Sequence, residues 1–152
     1  MATTGPWSEA EIRAYLEAAV LPLRLASNTV SGSPLLLSLW FVPLDGALYC
    51  AALTSSRVVR SLARDPRCTV EVAGDLPPYR GIRGRGIGHL EPARGEQILR
   101  AALQRYLGRD DGPLARWLLS RSAREVAIRI ELDRITSFDY TARMAPTAGR
   151  TR

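Results

Sequence analysis

The sequence predicts a mainly β domain with inserted helices (α+β), its antiparallel sheet closing into a barrel. Three observations carry this reading. Strand-like runs follow one another through short turns, most clearly at Asp45-Gly46. Helical stretches interrupt the series of strands instead of alternating with each strand, which argues against βαβ crossovers. Six or seven strands in 152 residues are enough for a sheet to close on itself.

Pro6-Trp7-Ser8-Glu9-Ala10-Glu11 opens the first helix. Ser8 and Glu11 have the capping-box spacing, and Ile12, Tyr15, Leu16 and Ala19 follow as an apolar stripe. Residues 22–29 are strand-like, and 28–34 (NTVSGSP) are turn material. Residues 35–42 (LLLSLWFV) read as a strand buried on both faces, with 47–53 (ALYCAAL) returning across the hairpin. Thr54-Ser55-Ser56 starts a short helix that Pro66 ends. Residues 67–73 form a further strand, and 79–91 a long one beyond a Gly/Pro turn. Residues 93–107 place Ile98, Leu99, Ala102, Leu103 and Tyr106 on one helical side, and 114–120 add a turn or two. Residues 124–132 alternate strictly, with Val126, Ile128, Ile130 and Leu132 inward, and 134–140 form a last short strand. One domain over residues 1–140 is expected, followed by a flexible tail over 141–152.

Composition excludes several chemistries. All 21 basic side chains are arginine, so there is no Schiff-base lysine and no P-loop. Cys50 and Cys68 stand 18 residues apart and His89 is the single histidine, too few for a Cys/His zinc site. A Ser–His–Asp triad could use only His89, and no GxSxG elbow is present. The first residues lack a signal-peptide pattern, no apolar run has membrane-spanning length, and both cysteines sit in apolar runs. A reduced, cytoplasmic protein is the expectation. The net charge of +6 favours an anionic partner.

Three stretches could carry chemistry. At Leu53-Thr54-Ser55-Ser56-Arg57-Val58-Val59-Arg60, hydroxyls stand where a strand gives way to a helix, whose free N–H groups attract anions. Arg57, Arg60 and Arg64 share the polar face of that helix, which makes a phosphate cradle or an ordinary N-cap with a solvated basic face. In the long strand, Tyr79, Arg83, Arg85, Ile87 and His89 share one face. Gly84, Gly86 and Gly88 leave the other nearly bare, where something flat or another backbone can approach. The pair Trp40-Phe41 reads as core before cofactor contact. Aromatic stacking platforms beside the arginines are not evident, so no nucleic-acid partner is expected, and with no apolar run of spanning length no membrane partner is expected.

Taken in order, PLLLSLWFVPLDGALYCAAL, TSSRVVRSLARDPRCTVEV, PPYRGIRGRGIGHLE and EVAIRIELDRITSFDY resemble the pyridoxamine 5′-phosphate oxidase-like family of flavin and deazaflavin proteins. The resemblance spans residues 10–140. It implies a split β-barrel and a homodimer with two cofactor sites at the subunit interface. Ser38, Leu39 and Trp40, with the strand end Ala52-Leu53-Thr54, would line the isoalloxazine of FMN. Ser55, Ser56 and Arg57 would hold the ribityl phosphate, and Arg83 and Arg85 would come from the same or the partner chain. Members commonly read Ser-Arg-Lys-x-x-Asn-Leu at the phosphate turn; here Val58 replaces the lysine and Ser61 the asparagine. Arg57 or Arg60 could supply the missing cation, since a guanidinium binds phosphate bidentately.

The implied function is FMN-dependent oxidoreduction, a hydride passing at flavin N5 to or from a small substrate. No catalytic acid or base is assigned, with Tyr79, Tyr140 and His89 as candidates. One alternative is a reductase using the deazaflavin coenzyme F420, whose polyanionic tail suits the arginines at 60, 64, 67, 80, 83 and 85. The other is a non-catalytic module holding a different anion in the altered pocket. Vitamin B6 oxidase activity is not expected, because the chain ends in TARMAPTAGRTR and lacks that subgroup's Arg–Leu–x–Pro stretch.

Overall fold

The computed structural model describes residues 2–145. In chain order the elements are β1 (Ala2–Thr4), α1 (Glu9–Ala18), β2 (Leu23–Asn28), β3 (Pro34–Leu39), β4 (Val42–Leu44), β5 (Ala47–Leu53), α2 (Arg57–Arg64), β6 (Arg67–Ala73) and β7 (Arg80–Glu91). There follow α3 (Gly95–Leu107), α4 (Pro113–Leu119), β8 (Glu125–Asp139) and α5 (Thr141–Met144). The capping box forms as the spacing requires: Glu11 N donates to Ser8 Oγ, and the Glu11 carboxylate accepts from Ser8 N at 2.7 Å.

The strands pair in the order β3-β2-β6-β7-β8-β5-β4, antiparallel throughout, with the short β1 added parallel to β8. The two ends of this path are consecutive in the chain, with only Trp40 and Phe41 between β3 and β4. Three Cα–Cα steps span at most about 11 Å, so the sheet curls until its edges meet there. The closed interior takes the inward residues of every long strand: Leu23 and Leu25, Leu48 and Cys50, Val70 and Val72, Ile82, and Val126, Ile128 and Ile130. Ile12 and Leu16 of α1 and Val58, Val59 and Leu62 of α2 pack onto the same core.

Two expectations are corrected. The segment 35–42 is not a strand buried on both faces. It is edge strand β3, whose half-buried Leu35, Leu37 and Leu39 alternate with an exposed Leu36 (68 % exposed) and Ser38, followed by a break and then β4. An unbroken apolar run hides that alternation, because three consecutive leucines look the same on either face. Glu125–Asp139 form one strand where two, 124–132 and 134–140, were expected. The register shifts opposite Arg85 and Gly86, leaving Asp133 unpaired in a bulge that the strand passes through. The glycine face of β7 is where another backbone approaches: a Cβ on Gly86 would collide with the Glu131 carbonyl, and one on Gly84 would lie 2.9 Å from Leu132 Cδ1. The close approach is that of the neighbouring strand. Thr141–Met144 form a helical turn at the start of the segment expected as a tail, and residues 146–152 of that segment lie outside the described residues.

Candidate cofactor site at the β5–α2 junction

The last residue of β5, Leu53, pairs with Glu125 at the start of β8, and the chain turns directly into α2. Two backbone bonds fix the turn: Thr54 N donates to Arg124 O (2.8 Å) and Ser56 N to Leu53 O (2.9 Å). Ser56 is the N-cap, its Oγ accepting from Val59 N at 3.4 Å. The N–H groups of Arg57 and Val58, in the first helical turn, have no carbonyl within the helix to bond. Thr54 and Ser55 are exposed beside them. Val58, Val59, Ser61 and Leu62 face the core, so Arg57, Arg60 and Arg64 face outward. The donor set fits a phosphate: free amides at a helix start, hydroxyls, and guanidinium groups on the open side. Val58 is 2 % exposed and packed in the barrel core. Val58 is therefore turned away from any anion, and the cations of α2 lie on its arginine side.

Trp40 leaves β3 and lies stacked on Tyr106 of α3, with centroids 5.0 Å apart and planes at 10°. It packs in one cluster with Ala51 of β5 and with Leu99 and Leu103, which brings the end of β3 to the outer face of β5. Ser38 is exposed on the edge strand, Leu39 and Ala52 pack against the barrel core, and Leu53 is half-buried. Arg83 and Arg85 stand elsewhere. Arg83 bonds Glu71 at 2.8 Å and covers the Phe138 ring at 4.4 Å, while Arg85 lies 3.5 Å from Asp133. Glu91 is level with Ala127 and Leu53 with Glu125, so the junction lies beyond the end of β7. Arg85 is six residues inside that end, about 20 Å away at strand rise. Within one chain these arginines do not reach the junction. Tyr79 and Tyr140 meet at the same distant end, Tyr140 N donating to Tyr79 O, and His89 faces Glu131 at 3.4 Å.

Two residues near the junction escaped sequence reasoning. Glu125 is 7 % exposed, and burial pushes its carboxyl above the ordinary 4.5 despite the Arg121 guanidinium, which acts the other way. A helix covers it: a Cβ on Gly95, at the start of α3, would collide with the Glu125 carbonyl. Gly95 opening a helix was the available signal. Tyr106 donates to Leu21 O (2.9 Å) and accepts from Phe41 N (3.1 Å), which holds the ring beneath Trp40. A cavity of about 830 Å³, lined by Ile12, Leu16, Leu44 and Ile130, lies between α1 and the β4–β5 hairpin. It shares no residue with the junction. No group of three or more His, Cys, Asp or Glu side chains suited to a metal occurs among the described residues. No helix there is long and apolar enough to cross a membrane.

The chain has the split β-barrel fold of pyridoxamine 5′-phosphate oxidase-like proteins. A conserved hypothetical protein from Mycobacterium tuberculosis superposes with a TM-score of 0.77 at 24 % identity, over 97 % of this chain and 96 % of its own. A solved F420 reductase follows at 0.69 and 22 %, over 86 % and 97 %. A candidate pyridoxamine 5′-phosphate oxidase from Listeria innocua follows at 0.65 and 21 %, over 85 % and 96 %. No protein-family model matches the sequence, and no curated protein matches it.

Proposed function

We propose that the protein is an FMN-dependent oxidoreductase of the pyridoxamine 5′-phosphate oxidase-like family, acting as a homodimer with a cofactor site at each β5–α2 junction. The observation that carries this is the donor set at the start of α2: free amides, exposed hydroxyls, and Arg57 and Arg60 turned outward. That set stands on a fold whose solved examples include an F420 reductase. Arg57 holds the phosphate, with Ser55, Ser56 and Arg60 beside it. Trp40 and Leu53 border the ring, with Ser38, Leu39, Ala52 and Thr54 around them. The isoalloxazine supplies the hydride chemistry at N5 when bound, and the chain supplies orientation and a dry wall. Arg83 and Arg85, too far from the junction in their own chain, serve the partner's site. This accounts for a second copy being needed. The visible spectrum of the purified protein with added FMN tests the reading: a colourless protein that takes up none contradicts it.

The row of arginines along α2 favours a second reading, in which the cofactor is the deazaflavin F420 with its longer anionic tail. Side-by-side titration separates the two. Tighter binding of the deazaflavin selects the second.

A further inference from the structure

We propose that the cleft between α1 and the β4–β5 hairpin binds a small organic cation, an amine carried on an apolar body. At about 830 Å³ the cleft falls in the size range of small-molecule pockets. Its lining divides by chemistry. The half-buried Leu44 and Leu132 give an apolar wall, and the buried Ile12, Leu16 and Ile130 close it from behind. Around the mouth stand Glu9, Arg13 and Glu17 of α1, Asp45 at the hairpin tip and Glu131 of β8, all exposed.

The sequence builds both rims. Ile12 and Leu16, one helical turn apart, pack into the barrel core, and Glu9, Arg13 and Glu17 follow the same i, i+4 spacing along the next row of the helix. Asp45 and Gly46 take positive φ (51° and 77°) in the two-residue turn, which fixes Asp45 on the opposite rim.

Charge selects the occupant. The chain carries a net +6, and among the described residues most carboxylates meet an arginine, Glu71, Glu91, Glu96 and Asp110 among them. Glu131 is likewise held by Arg129. Glu9, Glu17 and Asp45 meet none, so the mouth sets three unpaired carboxylates against one unpaired guanidinium, Arg13. A cation with an apolar body complements rim and wall together, whereas an anion meets like charge at the mouth. The carboxylates are spread around the opening, and no group of three or more suited to a metal occurs among the described residues. The fit is therefore to an organic cation. The cleft shares no residue with the β5–α2 junction, so its occupancy is independent of the flavin reading.

Calorimetric titration of the full chain at pH 7 with octylammonium, octanoate and ethylammonium tests this. Octylammonium should bind saturably, one per chain, and at least about tenfold tighter than octanoate, which has a similar tail and the opposite charge. Ethylammonium, with the same head and little tail to bury, should bind at least about a hundredfold more weakly than octylammonium. Glu17→Gln combined with Asp45→Asn should weaken octylammonium at least about fivefold, asparagine being tolerated at the positive φ of the turn. Asp75→Asn combined with Asp111→Asn, the same charge change away from the cleft, should leave binding unchanged. Equal affinity for octylammonium and octanoate, comparable binding of ethylammonium, or an equal loss in the Asp75/Asp111 variant overturns the proposal. Octylammonium binding that appears only on dilution to the monomer also overturns it, because a second copy then fills the cleft.

Discussion

Trp40 lies flat on Tyr106, ring centroids 5.0 Å apart, and the Tyr106 hydroxyl ties both to Leu21 O and Phe41 N. One phenol thus joins α3, the α1–β2 connection and the two residues that close the barrel. Tyr106→Phe leaves a part-buried amide and a carbonyl without their partner while keeping the ring stack. Urea denaturation should show a loss of about 1–3 kcal/mol with the m-value unchanged.

Gly86 and Gly88 look equivalent in sequence and are not. A Cβ on Gly86 would meet main-chain atoms, the Glu131 carbonyl and Leu132 Cα at 2.8 Å. A Cβ on Gly88 would meet only side chains, the Leu62 methyls at 3.2 Å, which can swing aside, and Ile128 Cγ2 at 3.7 Å. Gly86→Ala should cost about 3 kcal/mol or more, and Gly88→Ala about 1 kcal/mol, in the same denaturation measurement.

These two glycines show where sequence reading succeeds and stops. The capping box, the Asp45-Gly46 hairpin (φ 51° and 77°) and the hydroxyl-capped start of α2 were legible, because each depends on neighbours within a few residues. The placement of β3 at an edge was not, because which strands flank a run of leucines is decided by partners far away in the chain. β1 was missed for a related reason. Three residues, Ala2–Thr4, carry too little pattern, and only their register with Arg134–Thr136 makes them a strand. At the junction, spacing gave the arginine face of α2 correctly. It could not reveal that a helix covers Glu125, since strict alternation in 124–132 marks 125 as outward without saying that α3 lies there.

Glu125 makes stability depend on pH in a direction opposite to most carboxylates. Its folded pKa is raised, so the folded state holds the proton more tightly, and its contribution is fully present below 4.5 and lost as pH rises through the folded value. Glu125→Gln keeps the shape and removes the titration. The stability difference, Gln variant minus wild type, should grow as pH rises from 4 and then level off. A difference that shrinks over that range contradicts the assignment.

Both thiols are shielded. Cys50 is wholly buried with its thiol pushed far up by desolvation, and burial pushes Cys68 up to about 11. Neither should react with iodoacetamide at pH 8 in the folded protein, and both should react in denaturant, read as zero and two adducts by mass spectrometry.

In the proposed function, the start of α2 holds a flavin phosphate through Arg57. Titrating FMN into wild type and Arg57→Gln, followed by quenching of flavin fluorescence, tests it most directly. Saturable uptake of one FMN per chain is expected in the wild type. Loss of one charge-assisted contact of about 1.5–3 kcal/mol should weaken the variant about ten- to hundredfold. No saturable uptake by the wild type, or equal affinity in the two proteins, would contradict it.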